Sequence, residues 1–248
     1  MVVPANHKSN VLAMMIGWIL LTLSVASLAL IAWGAFHIQA NFFLKATHQG
    51  SPANKQIALT FDDGPHATYT PQVLELLRRH SAKATFFCIG KNVKQHPEIV
   101  KQIHEAGHAV GNHSFTHSAT IDFNGKNGWM EELDKTDTVI AQAIHRKPAF
   151  FRPPYGVTTP HLANAIRKSG HHVVGWRVRP YDTQESRSPN RIAQNILRKV
   201  KPGAIILLHD THDRIVPVLE QLLPELYQRG YTLVTVAELI DKHAYTET

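Results

Sequence analysis

From about residue 56 to residue 236, short apolar runs alternate with helical stretches about seven times, and few folds tolerate that pattern. The runs lie at 57–61, 84–89, 109–111, 149–151, 172–178, 204–208 and 231–236. Helical patterns fill 71–80, 97–106, 128–145, 159–169, 189–200 and 215–229. Several of these helices carry proline near their start, where a missing N–H costs nothing. Gly107, Gly170, Gly203 and Gly230 follow four of them, as C-terminal caps do. The alternation predicts an α/β fold with a parallel sheet and crossover helices. At about 185 residues the region is short for a complete eight-stranded barrel.

Residues 11–36 carry no charged side chain. As a helix they measure about 39 Å, against about 30 Å of bilayer hydrocarbon. The apolar core of a secretory signal is shorter, about 7–15 residues. The expectation is one uncleaved, tilted transmembrane helix, with a long cleaved signal as the alternative. Trp33 and Phe36 stand where an interfacial aromatic belt would. Lys8 precedes the stretch and Lys45 and Lys55 follow it, and the lean is towards an inside N-terminus. That makes a single-pass protein of the cytoplasmic membrane with its bulk extracytoplasmic. The organisation expected is a tail over 1–10, the membrane helix over 11–36, a linker over 37–55, a domain over 56–240 and a tail over 241–248.

The chain holds 17 histidines, a single cysteine and a net charge of +7. One cysteine, Cys88, forms no intrachain disulfide and no cysteine zinc cluster. The basic residues are scattered rather than clustered, which disfavours a nucleic-acid partner and suits an anionic surface or polymer. No feature calls for an obligate protein partner.

The unusual polar strings all follow strand-like runs. Asp62 and Asp63 come first, in Thr60-Phe61-Asp62-Asp63-Gly64-Pro65. Adjacent carboxylates repel, so they are either solvated turn residues or partners in a site. His113-Ser114-Phe115-Thr116-His117 spaces two imidazoles four apart, on one face if the chain makes a helical turn there. In a chain with 17 histidines such a pair is either chance spacing or part of a site; as a site, two histidines and a carboxylate compose a catalytic zinc centre, with one aspartate as ligand and the other accepting a proton. In Arg152-Pro153-Pro154-Tyr155-Gly156 the arginine is either a surface cation at a strand end or the cation that holds an aspartate ionised, and the two prolines fix a turn able to aim the Tyr155 N–H at a developing oxyanion. Leu207-Leu208-His209-Asp210 places a histidine at a strand end, as a buried structural residue or a general acid.

Taken together, the four strings resemble those of the polysaccharide deacetylases with a NodB-homology domain, carbohydrate esterase family 4. The resemblance covers roughly residues 55–239. It implies a distorted (β/α) barrel of about seven parallel strands and a divalent-metal hydrolase, usually with zinc, acting on acetylated sugars. By the same resemblance Asp62 is the catalytic base and Arg152 orients it. Asp63, His113 and His117 are the metal ligands, and Tyr155 is the oxyanion donor. His209 is the general acid, and Leu207 belongs to the pocket for the acetyl methyl. One string departs. The family often shows Asp-x-x-Asp-Trp, whose second aspartate tunes the acid histidine; here Asp182 matches that aspartate, while Arg179 and Thr183 replace the first aspartate and the tryptophan. Ser118 also stands where proline is more usual.

The activity implied is removal of N-acetyl groups from a GlcNAc-type glycan, peptidoglycan among the candidates, at the outer side of the membrane. An O-acetyl esterase on the same scaffold is the rival enzyme. A catalytically inactive, membrane-tethered glycan-binding module is the rival outside enzymes.

Overall fold

A computed structural model describes residues 6–246. The domain is built on β1 (Gln56–Asp62), β2 (Ala84–Cys88), β3 (Ala109–Asn112), β4 (Phe150–Phe151), β5 (His172–Val173), β6 (Ile205–His209) and β7 (Thr232–Leu233). These strands form one seven-stranded sheet in the order β5-β4-β3-β2-β1-β6, with β7 paired to the start of β1. Every pairing is parallel. The sheet curls, and its seam is drawn together by a parallel bridge between Val178 and Ile206. Around it lie α2 (Tyr69–Arg79), α3 (Gly90–Gln95), α4 (Pro97–Glu105), α5 (Gly125–Ile144), α6 (Pro160–Ser169), α7 (Pro189–Lys199), α8 (Ile215–Gln228) and α9 (Val236–Ile240). The helix α1 (Asn6–Phe36) precedes the domain. The parallel α/β sheet expected from the alternation is the fold observed, and it is curled in keeping with the distorted barrel that the resemblance implies.

Strand β1 explains why the runs read as nearly continuous apolar sequence: both faces are covered. Ile57, Leu59 and Phe61 pack outward among Val73, Leu77, Ile192 and Leu219. Ala58 packs on the other side with Ile205 and Val236, and the strand's period of two puts Thr60 and Asp62 on that same side. The inner column is therefore apolar at one end and polar at the other. Truncating a buried residue of the outer face, Leu59→Ala for example, costs about 2–5 kcal/mol.

Several boundaries differ from expectation. The run at 172–178 is a strand only over two residues, because the Gly175 N–H turns away to the Thr47 carbonyl. The run at 231–236 ends in α9, whose start is a capping box between Thr235 and Glu238. The short helix α3 was not expected. Gly170 caps α6 at φ +78. Gly203 does not cap α7, whose C-cap is Val200. It lies where a Cβ would come within 2.5 Å of the Gly50 carbonyl, so the glycine permits close approach of the chain at 50.

That approach belongs to a wider difference. The stretch 37–55, expected as a linker, packs along the barrel: Ile38 and Ala46 are buried in one cluster with Trp176 and Leu207. Thr47 and Gln49 form bridges to Val174 and Ala204. Beyond 240 the chain also stays on the domain. Tyr245 lies opposite Pro148, and its hydroxyl accepts the Val110 N–H. Parts of the expected tails, 1–5 and 247–248, lie outside the described residues.

Helix α1 starts at Asn6, before the uncharged stretch, and runs 31 residues. Its segment Asn10–Phe36 is long and apolar enough to cross a membrane by length and composition. Its large apolar side chains from Val11 to Phe36 are exposed. The Thr22, Ser24 and Ser27 hydroxyls donate back to carbonyls of the preceding turn, leaving little polar surface between Val11 and Phe36. At its end α1 meets the domain, where the Thr158 N–H donates to the Ala35 carbonyl at 2.9 Å.

Candidate active site

Parallel strands bring all their C-terminal ends to one rim, and the chemically unusual residues of this chain sit there. Asp62 closes β1 and is in register with His209, which closes β6. Asp63 follows in the left-handed region at φ +72, its carbonyl held by the Asn92 side-chain amide at 2.7 Å. The glycine of the Asp-Asp-Gly-Pro string has a local reason: a Cβ on Gly64 would lie 2.5 Å from the Asp210 carboxylate. Asp210 is fully buried beneath the turn and accepts from the Thr70 hydroxyl. Burial pushes its carboxyl up to about 7.

Arg152 is completely buried. Its guanidinium donates to Asp62 Oδ1 at 2.6 Å, Thr60 Oγ1 at 2.7 Å, the Gly175 carbonyl at 2.9 Å and the Val174 carbonyl at 3.1 Å. It lies 4.2 Å from the Phe87 ring centroid. The fork thus fixes one oxygen of Asp62. The other, Oδ2, lies 3.9 Å from His113 Nε2.

His113 and His117 meet, but not on a helix. Residues 113–117 form a loop in which Ser114 and His117 have positive φ. The loop is held from α5: Glu132 accepts the N–H groups of Phe115 and Thr116 and the Thr116 hydroxyl. Asn112 accepts the Ser114 N–H and donates to Asp137. The two imidazoles end 4.9 Å apart between centroids. His113 donates Nδ1–H to the Arg152 carbonyl at 2.8 Å, so its Nε2 is free to ligate.

Asp63 Oδ1 lies 3.3 Å from Nε2 of both His113 and His117. It is buried without a hydrogen-bond partner. The three donor atoms lie within 4.8 Å of one another. One carboxylate with two imidazoles and an orphaned oxygen fits a divalent cation. Burial raises the Asp63 carboxyl, but the close approach of the His113 imidazole, with His209 and His117 nearby, outweighs it and holds it well below the usual range. Burial, reinforced by His113, lowers His117 and so favours the neutral imidazole a metal needs.

Across the cavity, Asp182 is fully buried and accepts the His209 backbone N–H at 2.8 Å and Nδ1–H at 3.1 Å. It also takes His212 Nε2 at 3.3 Å. Burial works against a charged His209, yet the Asp182 hydrogen bond and the charges of Asp182, Asp62 and Asp63 raise it to about 9. Its Nε2 points into the cavity, 3.9 Å from Asp63 Oδ2.

Tyr155 sits in a short turn at φ +59, its ring centroid 4.6 Å from that of His117. Tyr155, Leu207, Trp176, Arg179 and Thr183 line the same cavity of about 290 Å³ as Asp62, Asp63, His113, His117 and His209. All nine residues singled out from the sequence therefore gather at one rim, with Arg152 and Asp182 behind its wall. Asp63, Ser114, His117, Tyr155 and Tyr181 hold left-handed backbone in or beside the site, the kind of strain that surrounding structure must maintain. Sequence reasoning missed Glu132, Asn112, Asp137, His212 and Trp176. Only Glu132 and Asp137 left a signal: two acids on the helix face that Trp129, Leu133 and Ile140 bury.

The family model described as polysaccharide deacetylase matches residues 49–174. A peptidoglycan-N-acetylglucosamine deacetylase of Bacillus cereus is 38% identical over 195 residues, covering 75% of this chain and 88% of the relative. One of Listeria monocytogenes is 38% identical over 188 residues, and the match spans only 39% of its length and 75% of this chain. The crystal structure of the Bc1960 peptidoglycan N-acetylglucosamine deacetylase superposes with a TM-score of 0.76 at 30% identity, covering 80% of this chain and 94% of that one.

Proposed function

Because this chain belongs to the polysaccharide deacetylase family, we propose that it hydrolyses N-acetyl groups of a GlcNAc-type glycan, peptidoglycan among the candidates, at the outer face of the cytoplasmic membrane. One observation carries the reading: a carboxylate fixed by a buried arginine and a carboxylate-paired histidine flank one Asp-His-His group in a single cavity. Binding a glycan needs no such set; hydrolysing an acetamide does.

Asp63, His113 and His117 hold one divalent ion, zinc by the preference of two imidazoles and a carboxylate. When bound there, the ion supplies Lewis acidity and acidifies water. Asp62 is the general base. Arg152 occupies its Oδ1, leaving Oδ2 to accept a proton from the attacking water. The oxyanion that develops on the acetyl group is met by the Tyr155 backbone N–H. Leu207 receives the acetyl methyl. His209 is the general acid: Asp182 fixes its Nδ1–H and keeps the ring protonated, so Nε2 donates to the departing amine. The products are a free amino sugar and acetate.

Helix α1 anchors the chain as a single span, and the catalytic domain, residues 56–240, stands outside the membrane close to its surface. The test of the reaction is acetate release by the full-length, metal-loaded protein in detergent. Release from N-acetylglucosamine oligomers is expected. Release from O-acetylated xylan alone makes it an esterase, and no release from either makes it a binding module.

A further inference from the structure

A second cleft opens beside the active site. It has a volume of about 280 Å³ and shares Trp176 and Arg179 with the catalytic cavity. Its other wall is Phe36, His37, Ile38 and Gln39, the end of α1 and the residues just after it. Gln39 fixes that wall by donating to the Trp176 carbonyl at 2.8 Å. The cleft therefore joins the reacting centre to the point where the apolar helix leaves the domain.

Its chemistry is cationic. Arg177 and Arg179 line it, and no carboxylate does among the described residues. The arginine ion pairs of the described residues belong to Arg78, Arg79, Arg152 and Arg229, so both cleft guanidiniums keep their charge uncompensated. Arg179 is held in place by its rings, 5.4 Å from the Trp176 centroid and 5.1 Å from that of Tyr181. Arg187 braces the same tyrosine at 5.1 Å. A stacked guanidinium keeps its fork of donors free for an anion. On the far side Arg177 and Gln39 also line a larger cleft with Arg198, Lys199 and Lys201, which extends the positive field along the same face.

We propose that this cleft binds the anomeric phosphate or diphosphate of a lipid-linked acetylated sugar, placing the sugar in the catalytic cavity and the prenyl chain along α1. The proposal rests on the deacetylase and membrane reading above and narrows its substrate from a polymer to a membrane-borne glycosyl phosphate. A phosphate between Arg177 and Arg179 exchanges water for two charge-assisted pairs. The prenyl chain then leaves beside Phe36, where exposed apolar surface continues into the helix. Soluble sugar phosphates share the anion but gain nothing from that surface.

The test is binding to the full-length protein in detergent, stripped of metal by chelator so that no ion in the catalytic cavity captures the anion. The probes are farnesyl diphosphate, inorganic diphosphate and farnesol. Farnesyl diphosphate is expected to bind most tightly, and Arg177→Gln with Arg179→Gln weakens it by about tenfold or more. Arg177→Gln alone, which leaves the catalytic cavity lining intact, gives part of that loss. Lys101→Gln on α4 controls for net charge and gives none. Unchanged affinity in both cleft variants overturns the proposal. Inorganic diphosphate binding as tightly as the prenyl compound overturns the lipid source, and farnesol binding as tightly overturns the anion site. None of these readings uses turnover. Acetate release without farnesyl diphosphate binding sinks this inference alone; binding without acetate release sinks the activity alone.

Discussion

Replacing Arg152 by methionine is the most informative perturbation of the site's interior. The guanidinium is fully buried and makes four hydrogen bonds, one of them at 2.6 Å to Asp62, itself 3% exposed. Methionine fills the stem and removes the charge. Asp62 is then a buried carboxylate without its cation, and breaking such a pair costs about 3–5 kcal/mol. That is a large share of the roughly 5–15 kcal/mol that stabilises a typical domain. The cause is the stranded charge rather than lost packing, so a second change tests it. In Arg152→Met with Asp62→Asn, no unpaired carboxylate is left, and the double variant should lose less than the two single losses combined by about 2–3 kcal/mol. The assay is urea unfolding of the four full-length proteins in detergent with chelator present, so that no bound cation compensates Asp62, compared at equal m values. A coupling below about 0.5 kcal/mol refutes the charge argument, since it is within the additivity of independent sites.

Other expected outcomes follow from the same geometry. His113→Ala and His117→Ala should each lose bound metal by elemental analysis; full metal content in both removes them from the ligand set. Asp182→Asn should lower the His209 pKa. Because the acid works protonated, activity is present below that pKa and lost as pH rises through it. The high-pH limb of kcat/KM should therefore move to lower pH by about 1–2 units, the size of one charged hydrogen bond. An unmoved limb would detach Asp182 from the acid. The protein should stay with membranes through a high-salt wash and be extracted by detergent, and a mature N-terminus beyond Phe36 would contradict the anchor.

Much of this site was legible because its residues are ends of runs. Asp62 and His209 each close an apolar strand, and parallel pairing places strand ends together whatever their distance in sequence. Turn residues helped too: Gly64 marks a backbone pressed against Asp210. The spacing of four at 113 and 117 would suit a helical turn, yet the segment is a loop, because Glu132 holds it from the next helix and nothing local tells of that residue. His212 was invisible for the same reason, its partner Asp182 being 30 residues away in sequence. The stretch 37–55 read as a linker from its Gly50, Ser51 and Pro52, yet its hold on the domain comes from isolated bridges that leave no periodic signal. Strands of two residues, β4, β5 and β7, are shorter than any periodicity can mark.

The measurement that bears most directly on the proposed chemistry pairs metal content with turnover in Asp62→Asn. The amide is neutral and cannot accept a proton, while Asp63, His113 and His117 are untouched. The variant should hold one metal ion like the parent and release acetate from an N-acetylglucosamine oligomer about 10²–10⁴-fold more slowly, with substrate affinity little changed. Near-parental turnover in the metal-loaded variant would contradict the assignment of Asp62 as the base, and with it the division of labour between the two adjacent aspartates.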